Sequence, residues 1–197
     1  MELPNGYHTV PAGKLAAVVT SLEMLERPAL RPEAESPAWR LRRAVAPTSE
    51  WYLALYRRIG GESLWEYRLS LPEEGLHAIL HDPLVEVYSL VHDGTEEGLL
   101  ELDFRIPGQC ELLYFGVGAA LLGRGAGRWL MNRALEIAWS RPLRRFWLHT
   151  CSLDHEAALH FYIRSGFRPF KREVEIFDDP RAKGLLPIDA ARHVPLL

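Results

Sequence analysis

The spacing of apolar residues changes along the chain, and each change marks an element. Lys14–Met24 is rich in Ala, Val and Leu, and its Val18-Val19-Thr20 run favours a strand. Trp39–Val45 sets Trp39, Leu41, Arg43 and Val45 against Arg40 and Arg42, a second short strand. Pro47, Thr48 and Ser49 offer an N-cap for a helix that Gly60-Gly61 stops. Ser70 and Glu73 have capping-box spacing ahead of Leu76, Ile79 and Leu80 on one face, and Asp82-Pro83 ends that helix. Leu84–Val91 then runs into His92-Asp93-Gly94, a hairpin turn. In Leu99–Arg105 the residues Leu100, Leu102 and Phe104 share one face, which leaves Glu101, Asp103 and Arg105 facing solvent. A turn at Pro107-Gly108 leads to a strand over Cys110–Val117. The remainder reads as a helix over Gly123–Ser140, a strand over Arg145–Thr150, a helix over Asp154–Ser165 and a strand over Phe167–Phe177.

A meander that gives way to alternating helices and strands implies an α+β fold. We expect a mixed, mainly antiparallel sheet of six or seven strands with helices on both faces. Residues 27–37 hold three prolines and no apolar period, so they read as a linker. Residues 1–37 are therefore expected as an extension laid against one main domain of residues 38–197. The formal charge of −3 leaves no basic footprint for nucleic acid. Cys110 and Cys151 are too few for a disulfide framework or a four-cysteine zinc site. Leu15–Thr20 is too short for a signal segment or a membrane span, so a cytoplasmic protein with no membrane partner is the expectation.

Between a strand and a helix lies Val117-Gly118-Ala119-Ala120-Leu121-Leu122-Gly123-Arg124-Gly125-Ala126-Gly127-Arg128. Alternate glycines let the backbone approach a ligand, and the helix N-terminus adds partial positive charge, which suits a phosphate or pyrophosphate. A Walker loop is excluded because Arg124-Gly125 stands where Lys-Ser/Thr is needed. The dinucleotide fingerprint fails too, since the spacing is G-x-G-x-G after a meander.

Gly123-Arg124-Gly125-Ala126-Gly127-Arg128 resembles the pyrophosphate loop of the GNAT superfamily of acyl-CoA-dependent N-acetyltransferases, with Leu122 replacing the usual Gln or Arg. Downstream, His155-Glu-Ala-Ala158-Leu-His-Phe-Tyr162-Ile-Arg-Ser-Gly166-Phe167 is similar to the family's Asn-x-x-Ala-x-x-x-Tyr-x-x-x-Gly-Phe, with His155 in place of Asn. The resemblance covers roughly residues 38–177. It implies a direct transfer of an acetyl group from acetyl-CoA to a primary amine of a small molecule or peptide. Its alternative is a non-catalytic acyl-CoA-binding or partner-binding module on the same fold. It places the cofactor at Leu122, Gly123, Arg124, Gly125, Ala126, Gly127, Arg128 and His155, with the backbone of Phe115, Gly116 and Val117 pairing with pantetheine. It makes Tyr162 the acid for the departing thiolate.

Glu111 is the candidate base. Strand alternation puts it on one face with Leu113, Phe115 and Val117, an apolar setting that tunes a carboxylate for proton transfer. Glu111 also lies six residues before Val117, as the catalytic glutamate does in the histone-acetylating members of the resembling family. His149 is a candidate acceptor-site residue, and the aromatic residues Trp51, Tyr52, Tyr56 and Trp65 either stack an acceptor or pack the core. No metal is expected: His155 and His160 stand at i and i+5, about 140° apart on a helix, where a zincin needs i and i+4. Cys151 has no base beside it and reads as an inert thiol. The tail Ala182–Leu197 lacks the family's final strand. Closing the sheet, covering the acceptor site and forming a homodimer are its open roles.

Overall fold

The computed structural model of the chain describes residues 3–33 and 38–197. Seven strands form one sheet: β1 (Lys14–Met24), β2 (Trp39–Ala44), β3 (Val85–His92), β4 (Thr95–Asp103), β5 (Gln109–Val117), β6 (Arg145–Cys151) and β7 (Arg168–Asp178). Their spatial order is β2-β3-β4-β5-β6-β1-β7, antiparallel throughout except for β5 beside β6. Five α-helices accompany them among the described residues: α1 (Ser49–Gly60), α2 (Tyr67–Ser70), α3 (Glu73–Leu80), α4 (Ala126–Ala138) and α5 (Ala158–Arg164). The sheet is mixed and mainly antiparallel; its central strands are covered on both faces, while β7 is exposed along nearly its whole length.

Local chemistry explains most boundaries. Thr48 Oγ1 accepts the Trp51 N–H at 3.3 Å and starts α1. Asp93 and Gly94 both take positive φ, 47° and 78°, as a two-residue β3–β4 hairpin demands. The capping box expected at Ser70 does not form. Its hydroxyl donates to Tyr67 O at 3.0 Å inside α2, and Pro72 occupies the N-cap of α3. The last helix starts later than its pattern suggests, because Asp154 is engaged by the end of β6: it accepts from Thr150 Oγ1 at 2.7 Å and from Cys151 N at 2.9 Å.

The N-terminal strand is part of the sheet interior. β1 pairs with β6 on one side and along nearly its whole length with β7 on the other. The expected linker has no regular structure over residues 27–33, and its residues 34–37 lie outside those described. The tail closes a face and not the sheet: Leu186, Ala190 and Ala191 are buried with α1, and Arg181 ties the tail together through Ala190 O and Val194 O.

Two apolar layers sandwich the central strands. On one side Leu100, Leu102, Cys110 and Leu112 pack against Leu130, Ala134 and Tyr162 of α4 and α5. On the other, Val87 and Leu99 pack against Tyr52, Leu55 and Tyr56 of α1. Burial on both faces overturns the expectation that Glu101 is solvated. It is 0% exposed, because α1 and α2 cover the face that alternation assigned to water.

Candidate active site

The parallel pair β5–β6 is short. Gln109, Cys110 and Glu111 pair with Arg145, Phe146 and Trp147, and beyond Glu111 the strands part. Leu112–Val117 therefore presents a free backbone edge toward a cleft, while its other edge stays bonded to β4 up to Val117. At the same level the β4–β5 register shifts: Leu102 faces Leu112 and Glu101 faces Tyr114, so Leu113 is the extra residue of a bulge. A bulge resets alternation. Phe115 and Val117 join the α4–α5 side with Cys110 and Leu112, whereas Tyr114 packs on the α1 side. Glu111 shares its face with Tyr114 and Gly116, not with Phe115 and Val117 as simple alternation predicted.

Above the cleft, Gly118–Leu121 makes one turn and the glycine loop leads into α4. Gly123 and Gly125 take φ of 71° and 88°, conformations that L side chains rarely adopt. Gly125 is the N-cap of α4 and no side chain caps the helix, so the first-turn N–H groups from Ala126 to Arg128 lack intrahelical acceptors. Leu122, Gly123, Arg124 and Gly125 are exposed. Such a cradle fits a pyrophosphate through backbone donors alone, and Leu122 takes nothing from it. His155 Nδ1 accepts the Ala157 N–H at 3.1 Å just ahead of α5.

At the closed end of the cleft, on the α1 side, His149 Nδ1 lies 3.5 Å from Glu111 Oε1. The Glu111 carboxylate pushes the His149 pKa above the ordinary histidine value, partial burial opposes the shift, and Asp154 and Glu175 reinforce it. Glu111 and Trp147 line a cavity of about 330 Å³ together with Asp103, Arg105 and Gln109. His149 and Trp147 line a groove of about 560 Å³ running over β1 and β7 past Ser21, Glu173 and Glu175. The acid and the imidazole thus meet where two concave surfaces join.

On the α4–α5 side stands Tyr162, its ring 6.1 Å from that of Phe115. Burial, with Asp154 adding to it, raises its pKa well above the phenolic value, so the hydroxyl keeps its proton. Cys151 is pushed up to about 11 by burial and carries no thiolate at neutral pH.

The aromatic residues divide. Tyr52 and Tyr56 are 0% and 1% exposed, which excludes them from acceptor contact; they belong to the core. Tyr52 donates to Glu101, and Arg68 Nη2 donates to the other carboxylate oxygen at 2.5 Å, making a buried triad beneath β4. Trp51 turns away and donates to Glu96 at 2.8 Å. Trp65 faces the cleft. Its indole packs 5.1 Å from Tyr114, touches the open site of Gly116, and donates to Asp154 Oδ1 at 3.3 Å. It therefore spans from β5 to the segment after β6. Asp154, Tyr114 and Arg68 were not foreseen as site or support residues. Only Asp154 left a trace in the sequence, as an acidic residue ending a strand, and there it reads as a helix start.

Among the described residues, no group of three or more His, Cys, Asp and Glu side chains is placed to hold a metal ion, and no helix is long and apolar enough to cross a membrane.

Residues 45–167 match the Acetyltransferase (GNAT) family, and the chain belongs to it. No curated protein matches the sequence. Solved structures share the fold at low identity. A functionally unknown conserved protein from Staphylococcus epidermidis superposes with a TM-score of 0.63 at 15% identity, over 85% of this chain and 63% of its own. An aminoglycoside acetyltransferase from an uncultured soil metagenomic sample gives 0.54 at 15% identity over 66% and 88%. An IAA acetyltransferase from Bacillus cereus gives 0.52 at 20% identity over 68% and 79%. The chain thus spans less than two thirds of the first of these neighbours and most of the other two.

Proposed function

We propose that the chain is an N-acetyltransferase that moves the acetyl group of acetyl-CoA directly to a primary amine. The observation that carries this reading is the cleft between β5 and β6, which opens beneath the free first-turn N–H groups of α4 and has an acid–imidazole pair at its closed end. Bound acetyl-CoA supplies an activated thioester carbonyl. Gly123–Arg128 hold its pyrophosphate, and the free edge of Phe115–Val117 pairs with its pantetheine amides. A backbone N–H of the same edge polarises the carbonyl oxygen.

Glu111 takes the proton of the incoming ammonium, directly or through water, with His149 sharing the charge. As the N–C bond forms and the C–S bond breaks, Tyr162 gives its proton to the departing sulfur, and the surplus proton left on the amide nitrogen departs through water and restores the phenol. Glu111 and Tyr162 lie on opposite faces of β5, so base and acid approach the reacting carbon from opposite sides. Arg124 and Arg128 stand beside the phosphates. His149 and Trp65 border the acceptor space.

Calorimetric titration with acetyl-CoA, CoA and ATP tests the donor assignment, and thiol release across an amine panel tests turnover. Both CoA species are expected to bind and ATP not to. Binding without thiol release from any amine would favour a non-catalytic module, and no binding at all would refute the assignment.

A further inference from the structure

The segment that follows β1 crosses the α4–α5 side of the sheet and is pinned there. Pro28 lies against Gly166, where an added Cβ would stand 3.2 Å away. Asn132 of α4 donates to Arg31 O at 2.9 Å and to Glu33 at 2.7 Å, and Arg133 pairs with Glu33 at 2.8 Å. Beneath this strap Asn132 is 3% exposed. Arg31 Nη1 in turn donates to the carbonyl of Arg164, the last residue of α5, at 3.0 Å.

These contacts gather three arginines. Arg128 stands one turn before Asn132 on the same face of α4. Gly127 beside it packs toward Phe161, 3.8 Å from an added Cβ and one turn before Arg164. Arg31, Arg128 and Arg164 thus come from three separate elements to the first turn of α4. None of the three has an ion-pair partner among the described residues, whereas Arg133 on the same helix is matched by Glu33 and Glu136. Burial and the charges of Arg31 and Arg164 both lower the pKa of Arg128, which reports uncompensated positive charge. Guanidinium forks match the oxygens of a phosphate monoester, which carries close to two negative charges.

The neighbouring loop already accounts for a pyrophosphate through its backbone. CoA carries one further phosphate, the monoester on its ribose. We infer that Arg31, Arg128 and Arg164 bind the ribose 3′-phosphate of CoA, and that the N-terminal strap is thereby part of the donor site. This rests on the acyl-CoA reading above.

Calorimetry with CoA and 3′-dephospho-CoA, at one fixed ionic strength, separates the two ideas. The wild-type chain is expected to bind CoA about tenfold more tightly than dephospho-CoA, the effect of one or two charged hydrogen bonds. Arg31→Gln is expected to remove most of that preference while leaving dephospho-CoA affinity within about twofold. Arg164→Gln, which keeps the backbone carbonyl that anchors Arg31, is expected to do the same with an unchanged melting temperature. Equal affinity of the wild-type chain for both ligands overturns the inference and leaves the donor assignment standing. Equal losses for both ligands in the variants also overturn it. Binding of neither ligand by the wild-type chain refutes the donor assignment itself.

Discussion

Arg68→Met tests how the platform beneath the cleft is built. Arg68 and Glu101 are 2% and 0% exposed and meet at 2.5 Å, with Tyr52 donating to the second carboxylate oxygen. Removing the guanidinium strands a carboxylate in the core with one neutral donor. Breaking a buried pair in this way costs about 3–5 kcal/mol. In a domain of this size each kcal/mol lowers the melting temperature by about 2–4 °C, so the fall is roughly 6–20 °C. Arg68 Nε has no hydrogen-bond partner among the described residues, so the wild-type network is itself incompletely satisfied. A triple variant, Arg68→Met with Glu101→Leu and Tyr52→Phe, removes every member and is expected to lie within about 1 kcal/mol of wild type. Urea denaturation with an unchanged m value measures both. A loss below about 1 kcal/mol in the single variant, or a triple variant as unstable as the single, would sink the electrostatic account. The guanidinium also covers the Tyr114 ring at 5.2 Å, and Tyr114 supports Trp65. Loosening of Trp65 in the single variant, read by its fluorescence, should therefore accompany the loss.

Three further outcomes follow from the site. His149 has a folded-state pKa raised above the ordinary 6.5 or so, so the stability its pair with Glu111 adds is present below that pH and fades as pH rises through the raised value. In Glu111→Gln the His149 midpoint, followed by NMR, should drop toward the ordinary value, and the pH dependence of turnover should change with it; an unmoved midpoint would separate the two residues. Tyr162→Phe should slow the chemical step about 10²-fold without weakening CoA binding, and a wild-type rate would reduce the ring to packing. Trp65→Ala removes the indole that crosses the cleft against Gly116, so affinity for butyryl-CoA should rise relative to acetyl-CoA. An unchanged ratio would place the acyl group elsewhere.

Much of this fold is written locally. Thr48, Asp93-Gly94 and the alternating strands β3 to β5 announce themselves because each depends on neighbours in sequence. The glycine loop is legible for the same reason: positive φ at Gly123 and Gly125 is a backbone requirement that only residue type reveals. What could not be read depends on contacts between distant segments. β1 looks like an appendage because nothing in Lys14–Met24 specifies insertion between β6 and β7. Glu101 alternates like a solvated residue, and only Arg68, brought over by α2, makes its burial tolerable. Asn132 reads as a surface residue until the strap carrying Arg31 and Glu33 covers it.

The bulge at Leu113 deserves the greatest weight among these departures, because one inserted residue does two things at once. It reverses alternation, sending Phe115 to the Tyr162 side while Glu111 stays opposite, with His149. It also coincides with the end of β5–β6 pairing, since a strand bent and twisted at that point no longer stays in register with a straight neighbour. Unbroken alternation would set Glu111 and Phe115 on one face and take Phe115 away from Tyr162. The side that Phe115 takes, and the free edge of Leu112–Val117, therefore have a common structural origin.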